Sequence, residues 1–512
     1  MTDQSRMSPP IFDADELAEQ GRKIISLLEN LQRRISQNPV KPNCHPGDLA
    51  KLFSSEPPEQ GIGWQRLIQD LEGKITEGAT LWQHPRFFAY YPANTSLPAV
   101  LAETMIAGLA SVGLQWSANP IATELECVVM DWILKMLHAP QDSPFYHHSC
   151  RGGGVIQNTA GDALVNIMVA ARVACHQKAA GIPWDKPLDE DQRESLFYQD
   201  SSRLVVYMSD QTHFSGPKAV RVAGMRVNII KSKLLSDGNY GIDRVMVAEA
   251  MASDRRQGLR PCALQLNYGS TNTCGMDDMK SFLGFAQAEG VWLHVDAAYA
   301  GASLILPEFQ GASRVIQEIA DSFNFNGSKW FLCGFDSAFL YVRDRRLMKQ
   351  VYAAGGDYLA TVDEEGAYNP EFKDWAVPLG RRFRSLRIWM VLSYFGVTGM
   401  QAFLRKGIEQ ANRLRSLVDQ SSDFETIVAC QLGLVCVGLK DGLQERWVLF
   451  WEALERRSEN GRNFLVYPSK IEGRFFLRIA LGGVNTEDQD VDYLWSQLNG
   501  AVKEIKVHIA KI

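Results

Sequence analysis

A chain of 512 residues, 46% of them hydrophobic and 22% charged, can bury more than one core, so two or three structural units are expected. Its formal net charge of -6 and sequence pI near 5.9 argue against the basic surface that a nucleic-acid backbone requires, and no nucleic-acid partner is expected. The nine cysteines are scattered, odd in number and free of any C-x-x-C pair, which argues for reduced thiols, and the nine histidines form no metal-spaced set.

Met1 to Pro10 is polar, with no charged start leading into an apolar core, and no apolar run elsewhere approaches the roughly 20 residues of a membrane-spanning helix. Neither a secretory signal nor a membrane anchor is expected, and the cytosol is the expected compartment. Residues 13–36 carry Leu17, Gly21, Ile24, Ile25, Leu28 and Leu31 at three- and four-residue spacings and predict an amphipathic helix. The stretch from Asn38 to Gly47, rich in Pro, Asn and Gly, breaks it. A second helix, roughly Trp64 to Glu77, leads to HPRFFAYYP (84–92), an aromatic cluster that by itself reads as core or interface.

From about Pro98 onward, helices alternate with short apolar strands. The clearest strands are Arg203 to Met208, Val227 to Ile230, Cys262 to Leu266, Val291 to Val295 and Ser337 to Val342, with helical segments such as Asp162 to Ala179 between several of them. This pattern predicts an α/β fold with a mainly parallel sheet and a ligand site at the strand C-terminal ends. After Arg384, helices over Ser385 to Tyr394 and Met400 to Ser416 precede strands around Leu432 to Leu439 and Arg474 to Ala480, then a last helix from Glu487 to Ile505, an α+β arrangement.

The strongest chemical constellation is a strand ending in an acid, Val291 to Asp296, followed by Ser322 to Trp330 with Lys329 near its end. An acid at a strand end can keep the pyridine nitrogen of pyridoxal phosphate protonated, and a nearby lysine can form an imine with its aldehyde. Taken singly, Asp296 could be a turn cap and Lys329 a surface group. The flanks shift this weighting: Phe323, Phe325, Trp330 and Phe331 surround Lys329 and predict desolvation, which lowers an amine's pKa. Ala297 and Ala298 are small enough to let a flat ring approach the backbone. The run from Gly152 to Asp162 offers a Gly-rich turn into a helix, where Thr159, Ala160 and Gly161 would give a phosphate hydroxyl and backbone donors; a simple tight turn fits as well. The run does not match the G-x-G-x-x-G of a nicotinamide site. His213, after the strand Leu204 to Met208, can stack on a cofactor ring or carry a proton, or be a core histidine.

Together these segments resemble the group II pyridoxal-phosphate-dependent amino acid decarboxylases, most closely the aromatic-L-amino-acid and histidine decarboxylase branch, from about residue 12 to 500. HPRFFAYYP, ATELECVVMDW (122–132), GGGVIQ, SDQTH, HVDAAYAG, SFNFN-x-x-KW and PLGRRFRS (378–385) stand in that family's order and near its spacing. The resemblance implies an aspartate-aminotransferase-like fold (fold type I). It divides into an N-terminal helical and dimerisation segment over 1–96, a large cofactor-binding domain over 97–386 and a small α+β domain over 387–512. It also implies pyridoxal 5'-phosphate as cofactor, an obligate homodimer with both active sites at the subunit interface, and decarboxylation of an aromatic L-amino acid (Tyr, Trp, Phe or Dopa class) to the amine and carbon dioxide.

By the same resemblance Lys329 is the Schiff-base lysine, Asp296 the partner of the ring nitrogen, Ala298 the residue beneath the ring and His213 the group stacked on its other face. Thr271 lies near the cofactor, and Ala160, Gly161 and Asn326 hold the phosphate. Trp82, Tyr90, Tyr91, Pro92, Val112 and Leu114 match positions of the substrate pocket, some reaching in from the partner subunit. Tyr358, in the Gly-rich, charged stretch Ala353 to Tyr368, falls in the family's catalytic loop as the acid that protonates the substrate carbon after carbon dioxide leaves. Related aldehyde synthases carry Phe at that tyrosine or replace the stacking histidine, so amine is the expected product.

The chain also departs from the pattern. Gly327-Ser328 replaces the Pro-His found before the lysine in many aromatic decarboxylases, and the Ser328 hydroxyl remains able to bond phosphate. Gly380 has the aromatic-decarboxylase form of a substrate-pocket site where histidine decarboxylases tend to have Ser. Leu114 stands where an aromatic residue is usual, which leaves the pocket apolar with less stacking. Gly161 lacks the Ser hydroxyl frequent in relatives. The competing outcomes are decarboxylation of histidine or of an acidic or diamino acid, and decarboxylation with deamination to an aldehyde. A non-enzymatic regulator would carry a DNA-binding region, which the sequence does not display.

Overall fold

The computed structural model of the protein describes residues 11–183, 186, 188–353, 370–429 and 432–509. They form two compact units, one comprising Met1–Phe88, Glu445–Val466 and Asn485–Ile512, the other Ala89–Gln444 and Tyr467–Val484. Among the described residues no helix is long and apolar enough to cross a membrane.

The first unit is helical. Its opening helix, Ala14–Arg33, starts where the Asp13 carboxylate accepts the Glu16 N–H, and its Leu17, Ile25 and Leu28 lie exposed. Helices Trp447–Arg457 and Asp488–Ile509 pack against each other. Phe87 and Phe88 are buried here, with Phe87 bridged to Leu465, and the Trp82 ring lies 4.6 Å from that of Phe87. Arg86 pairs with Asp490 at 3.1 Å and stacks on Tyr493. The expected second helix is present as Gly63–Asp70, continuing through the wider turn Leu71–Thr76.

The second unit holds a seven-stranded sheet: β1 Gly153–Gln157, β2 Leu204–Ser209, β3 Arg226–Ile230, β4 Arg260–Asn267, β5 Trp292–Asp296, β6 Ser322–Asn326 and β7 Ala338–Val342. Their order is β1-β7-β6-β5-β4-β2-β3. The β3-β2-β4-β5-β6 run pairs in parallel, while β7 runs antiparallel to both its neighbours. The mainly parallel α/β sheet predicted from the sequence is thus present. Strands β2, β5 and β7 are buried at every position, as expected where both faces of a sheet are covered.

The glycine run before the Ala160–Ala179 helix corrects the sequence reading. Gly153 to Gln157 is an edge strand rather than a turn, and the glycines serve close packing. A Cβ on Gly152 would lie 2.2 Å from the Val342 carbonyl oxygen, and one on Gly154 would lie 2.5 Å from the Met130 methyl. The two helices expected after Arg384 form one element, Arg384–Asp419, interrupted at Gly396, where φ of 61° requires glycine. The small antiparallel sheet has four strands, Phe424–Thr426, Leu434–Leu439, Arg474–Ala480 and Tyr467–Ile471 in that spatial order, where the sequence pattern gave only two. The half-exposed alternation of Tyr467–Ile471, interrupted by Pro468, hid one edge strand, and the other, Phe424–Thr426, is only three residues long.

Candidate active site

The C-terminal ends of the central strands converge on one cavity of about 490 Å³. Asp296 closes β5, Asn326 closes β6, Asn267 closes β4, and Ser209 closes β2 just ahead of His213. All except Ser209 line the cavity, together with Thr159, Ala160 and Gly161 at a helix start, and Thr271, Ala298, Lys329 and Tyr91. A parallel sheet gathers these groups because consecutive strands all point their C-terminal ends the same way, whatever their separation in sequence.

Lys329 sits on the short helix Gly327–Trp330 directly after β6. Its ammonium has no hydrogen-bond or ion-pair partner among the described residues and lies 5.6 Å from the centre of the Tyr91 ring. Burial, reinforced by the Arg478 guanidinium, holds its pKa below the ordinary lysine value, and Asp296 opposes that shift. A larger share of neutral amine follows. Tyr91 stacks on Tyr299 at 3.7 Å, and Tyr299 on Trp330 at 5.1 Å, so the wall beneath the lysine is a rigid aromatic column. Arg478 lies 5.2 Å from the Tyr91 ring and donates to the Thr271 and Asn272 carbonyl oxygens, which ties the Thr271 loop to the small sheet.

Asp296 Oδ1 accepts from the Ala298 N–H at 3.0 Å and from the Asn324 amide at 3.4 Å. His213 Nδ1 accepts the Ser215 N–H at 3.2 Å, which places its proton on Nε2. Burial, with Lys329 nearby, lowers the His213 pKa, so the ring is neutral near pH 7.

At the other end of the cavity, Thr159 caps the helix Ala160–Ala179 in a capping box with Asp162. The Thr159 hydroxyl, expected as a phosphate donor, gives its proton to Asp162 Oδ2 at 2.9 Å. The backbone N–H groups of Ala160 and Gly161, in the first turn, have no acceptor within the helix. Asn326 Oδ1 is buried without a hydrogen-bond partner among the described residues, although Asn326 is anchored through its N–H to the Ala298 carbonyl at 3.0 Å. The free N–H donors of Ala160 and Gly161, with the Asn326 Nδ2 amide lining the same cavity, suit an oxyanion that arrives with a ligand, whereas Asn326 Oδ1 is an acceptor and calls for a donor instead. Ala298 presents no side chain beyond Cβ, which suits a flat ring. The expected cofactor therefore fits: a nucleophilic amine, a carboxylate, a small residue and an anion cradle surround one space.

Other expected site residues lie elsewhere. Ser328 is buried outside the cavity wall, its N–H 3.3 Å from the Ser337 carbonyl oxygen and its own carbonyl accepting the Asn94 N–H. Tyr90 is half exposed, with its ring 4.9 Å from Tyr467, and Pro92 is buried. Val112, Leu114 and Gly380 are not in the cavity wall; Val112 is exposed and packs beside Gly380. Trp82 belongs to the helical unit. Tyr358 lies outside the described residues. Sequence reasoning missed Tyr299, Asn267, Ser270, Ser215 and Lys218 in the wall. Each stands within a few residues of a strand end or of an already singled-out group, and that position was the available signal. Among the described residues no group of three His, Cys, Asp or Glu side chains could hold a metal.

The pyridoxal-dependent decarboxylase conserved domain matches residues 46–440. Tryptophan decarboxylase 2 of Oryza sativa subsp. japonica is 34% identical over 498 residues, 96% of each chain. Phenylacetaldehyde synthase of Arabidopsis thaliana is 34% identical over 488 residues, 94% of this chain and 95% of that one. The crystal structure of Oryza sativa TDC with PLP and tryptamine is 29% identical, with a TM-score of 0.89, covering 97% of this chain and 100% of that one.

Proposed function

The chain belongs to the pyridoxal-dependent decarboxylase family, and from that premise we propose that it decarboxylates an aromatic L-amino acid, of the Tyr, Trp, Phe or Dopa class, to the amine. It is a pyridoxal-phosphate-dependent carboxy-lyase. The observation that carries the reading is the uncommitted Lys329 amine in one cavity with Asp296 and His213. Pyridoxal phosphate bound there supplies an electron sink for the carbanion left when the α-carboxylate departs as carbon dioxide.

Lys329 would hold the cofactor through its amine, and Asp296 would keep a proton on the ring nitrogen. The Ala160 and Gly161 N–H groups, the Asn326 amide and Thr271 would receive the phosphate. The neutral His213 would offer Nε2–H as a donor and would stack on the cofactor ring. Tyr91, stacked on Tyr299, and Phe214 give the cavity an aromatic lining suited to an aromatic side chain. Tyr358 would return a proton to the substrate carbon, which directs the outcome to amine.

A cytosolic homodimer is part of the same reading. Leu97, Leu101, Met105 and Leu109 form an exposed stripe at four-residue spacing along the helix Leu97–Leu109, as a subunit interface requires. In such a dimer Val112, Leu114, Gly380 and Trp82 would complete the partner's pocket.

The test is chromatographic product analysis with Tyr, Trp, Phe, Dopa and histidine. Amine from at least one aromatic substrate is expected, with histidine inert. Turnover of histidine alone would sink the aromatic assignment. The likeness to a phenylacetaldehyde synthase motivates one second reading, that the product is an aldehyde, and the same analysis reports it as aldehyde in place of amine.

A further inference from the structure

A line of buried polar side chains runs through the sheet behind Asp296. Trp292 Nε1–H donates to Ser322 Oγ at 2.8 Å, and Ser322 Oγ lies 2.8 Å from His294 Nδ1. His294 Nε2 lies 2.7 Å from Asn324 Oδ1, and Asn324 Nδ2 lies 3.4 Å from Asp296 Oδ1. Trp292, His294 and Asp296 occupy alternate positions of β5, and Ser322 and Asn324 alternate positions of β6, so all five side chains share one face.

Donor and acceptor chemistry allows this line one direction. The direction is set at the Asn324 end: its NH₂ donates to Asp296, so its Oδ1 faces His294 and can only accept, and the His294 proton sits on Nε2. Nδ1 of the neutral ring is then an acceptor, and Ser322 gives it a proton while accepting from the Trp292 indole. Burial keeps His294 neutral by lowering its pKa, and the ring is wholly enclosed. With the Ala298 N–H, Asp296 Oδ1 receives two donors, while no donor among the described residues meets Oδ2.

We propose that His294 and Asn324 are positioning residues: the one-way chain from Trp292 to Asp296 fixes the carboxylate as an acceptor and reserves Oδ2 for the protonated ring nitrogen of the cofactor. A carboxylate fed by N–H donors resists protonation, so the proton shared with the ring stays on the ring. The proposal rests on Asp296 being the ring-nitrogen partner, and its test separates the two claims.

Apoprotein is titrated with pyridoxal phosphate and with the carbocyclic analogue whose ring nitrogen is replaced by C–H, both followed by absorbance of the lysine-bound chromophore. His294→Leu and the isosteric Asn324→Asp should weaken pyridoxal phosphate binding about tenfold and analogue binding less than about twofold. His294→Gln, whose amide can still donate to Asn324, should restore most of the affinity. Equal losses for both ligands would mean a merely structural role and overturn the proposal, as would unchanged affinity for pyridoxal phosphate. If His294→Leu does not fold, Asn324→Asp decides alone. Asp296→Asn is the control: if it fails to discriminate between the two ligands, the assignment of Asp296 itself is wrong.

Discussion

Two polar regions of the sheet-containing unit meet opposite fates. Around residues 381–387 each guanidinium finds a carboxylate: Arg381 grips Glu126 through two bonds of 2.7 and 3.0 Å, Arg384 meets Asp336 at 2.8 Å, and Arg387 meets Glu103 at 2.7 Å. In the cavity, among the described residues, Lys329 has no such partner and Asn326 Oδ1 has no donor. Arg381, Arg384 and Arg387 are largely buried, as is Asn326 Oδ1, and an unmatched polar group is costly there. In the arginine cluster every guanidinium meets a carboxylate, although Arg387 Nε is left over, and the cavity groups are left open to a ligand.

The largest effect that can test this contrast is at Lys329. Lys329→Ala should lower kcat/KM by on the order of 10⁴ or more, with little change in urea denaturation of the apoprotein, because no ion pair is lost. A severe loss of apoprotein stability would show that the lysine is structural after all. Arg381→Met should behave in the opposite way, leaving Glu126 buried and unpaired at a cost of about 3 to 5 kcal/mol in the same denaturation experiment. A loss below about 1 kcal/mol would remove the distinction between the regions.

Away from both regions, His147 is fully buried, with Nε2 2.7 Å from the Gly154 carbonyl oxygen and Nδ1 without a partner among the described residues. Burial pulls its pKa down to about 3. Its folded value therefore lies below its unfolded one, so its contribution is present above about pH 6.5 and is lost as pH falls toward 3. Between pH 7 and 5 the protein should lose about 2 kcal/mol that His147→Gln does not lose, measured by urea denaturation at both values. The smallest effect is at the helix cap. Thr159→Ala should cost about 1 kcal/mol of stability. Because the Thr159 hydroxyl already serves Asp162, cofactor affinity should fall less than about threefold, and a larger fall would reassign that hydroxyl to the phosphate.

Much of this arrangement was legible beforehand. Buried strands such as LVVYMS announce themselves by composition, and the acid at 296 and lysine at 329 by their place at the ends of β5 and β6. The glycines at 152–154 misled because glycine marks turns and close packing alike, and only the Val342 and Met130 atoms beside them show which applies. Tyr299 was overlooked for a similar reason: three residues beyond Asp296, it has no signature until it stacks between Tyr91 and Trp330.

The sequence by itself determined the alternation of strands and helices, the family's motifs and the identity of the reactive groups, because those depend on local pattern and residue chemistry. Tertiary structure alone decided which charges are neutralised, that Thr159 caps rather than stands free, and that His294 reaches Asp296 through Asn324. These are matters of distance between segments far apart in the chain. Whether a polar group is satisfied depends on what the fold sets within about 3 Å of it.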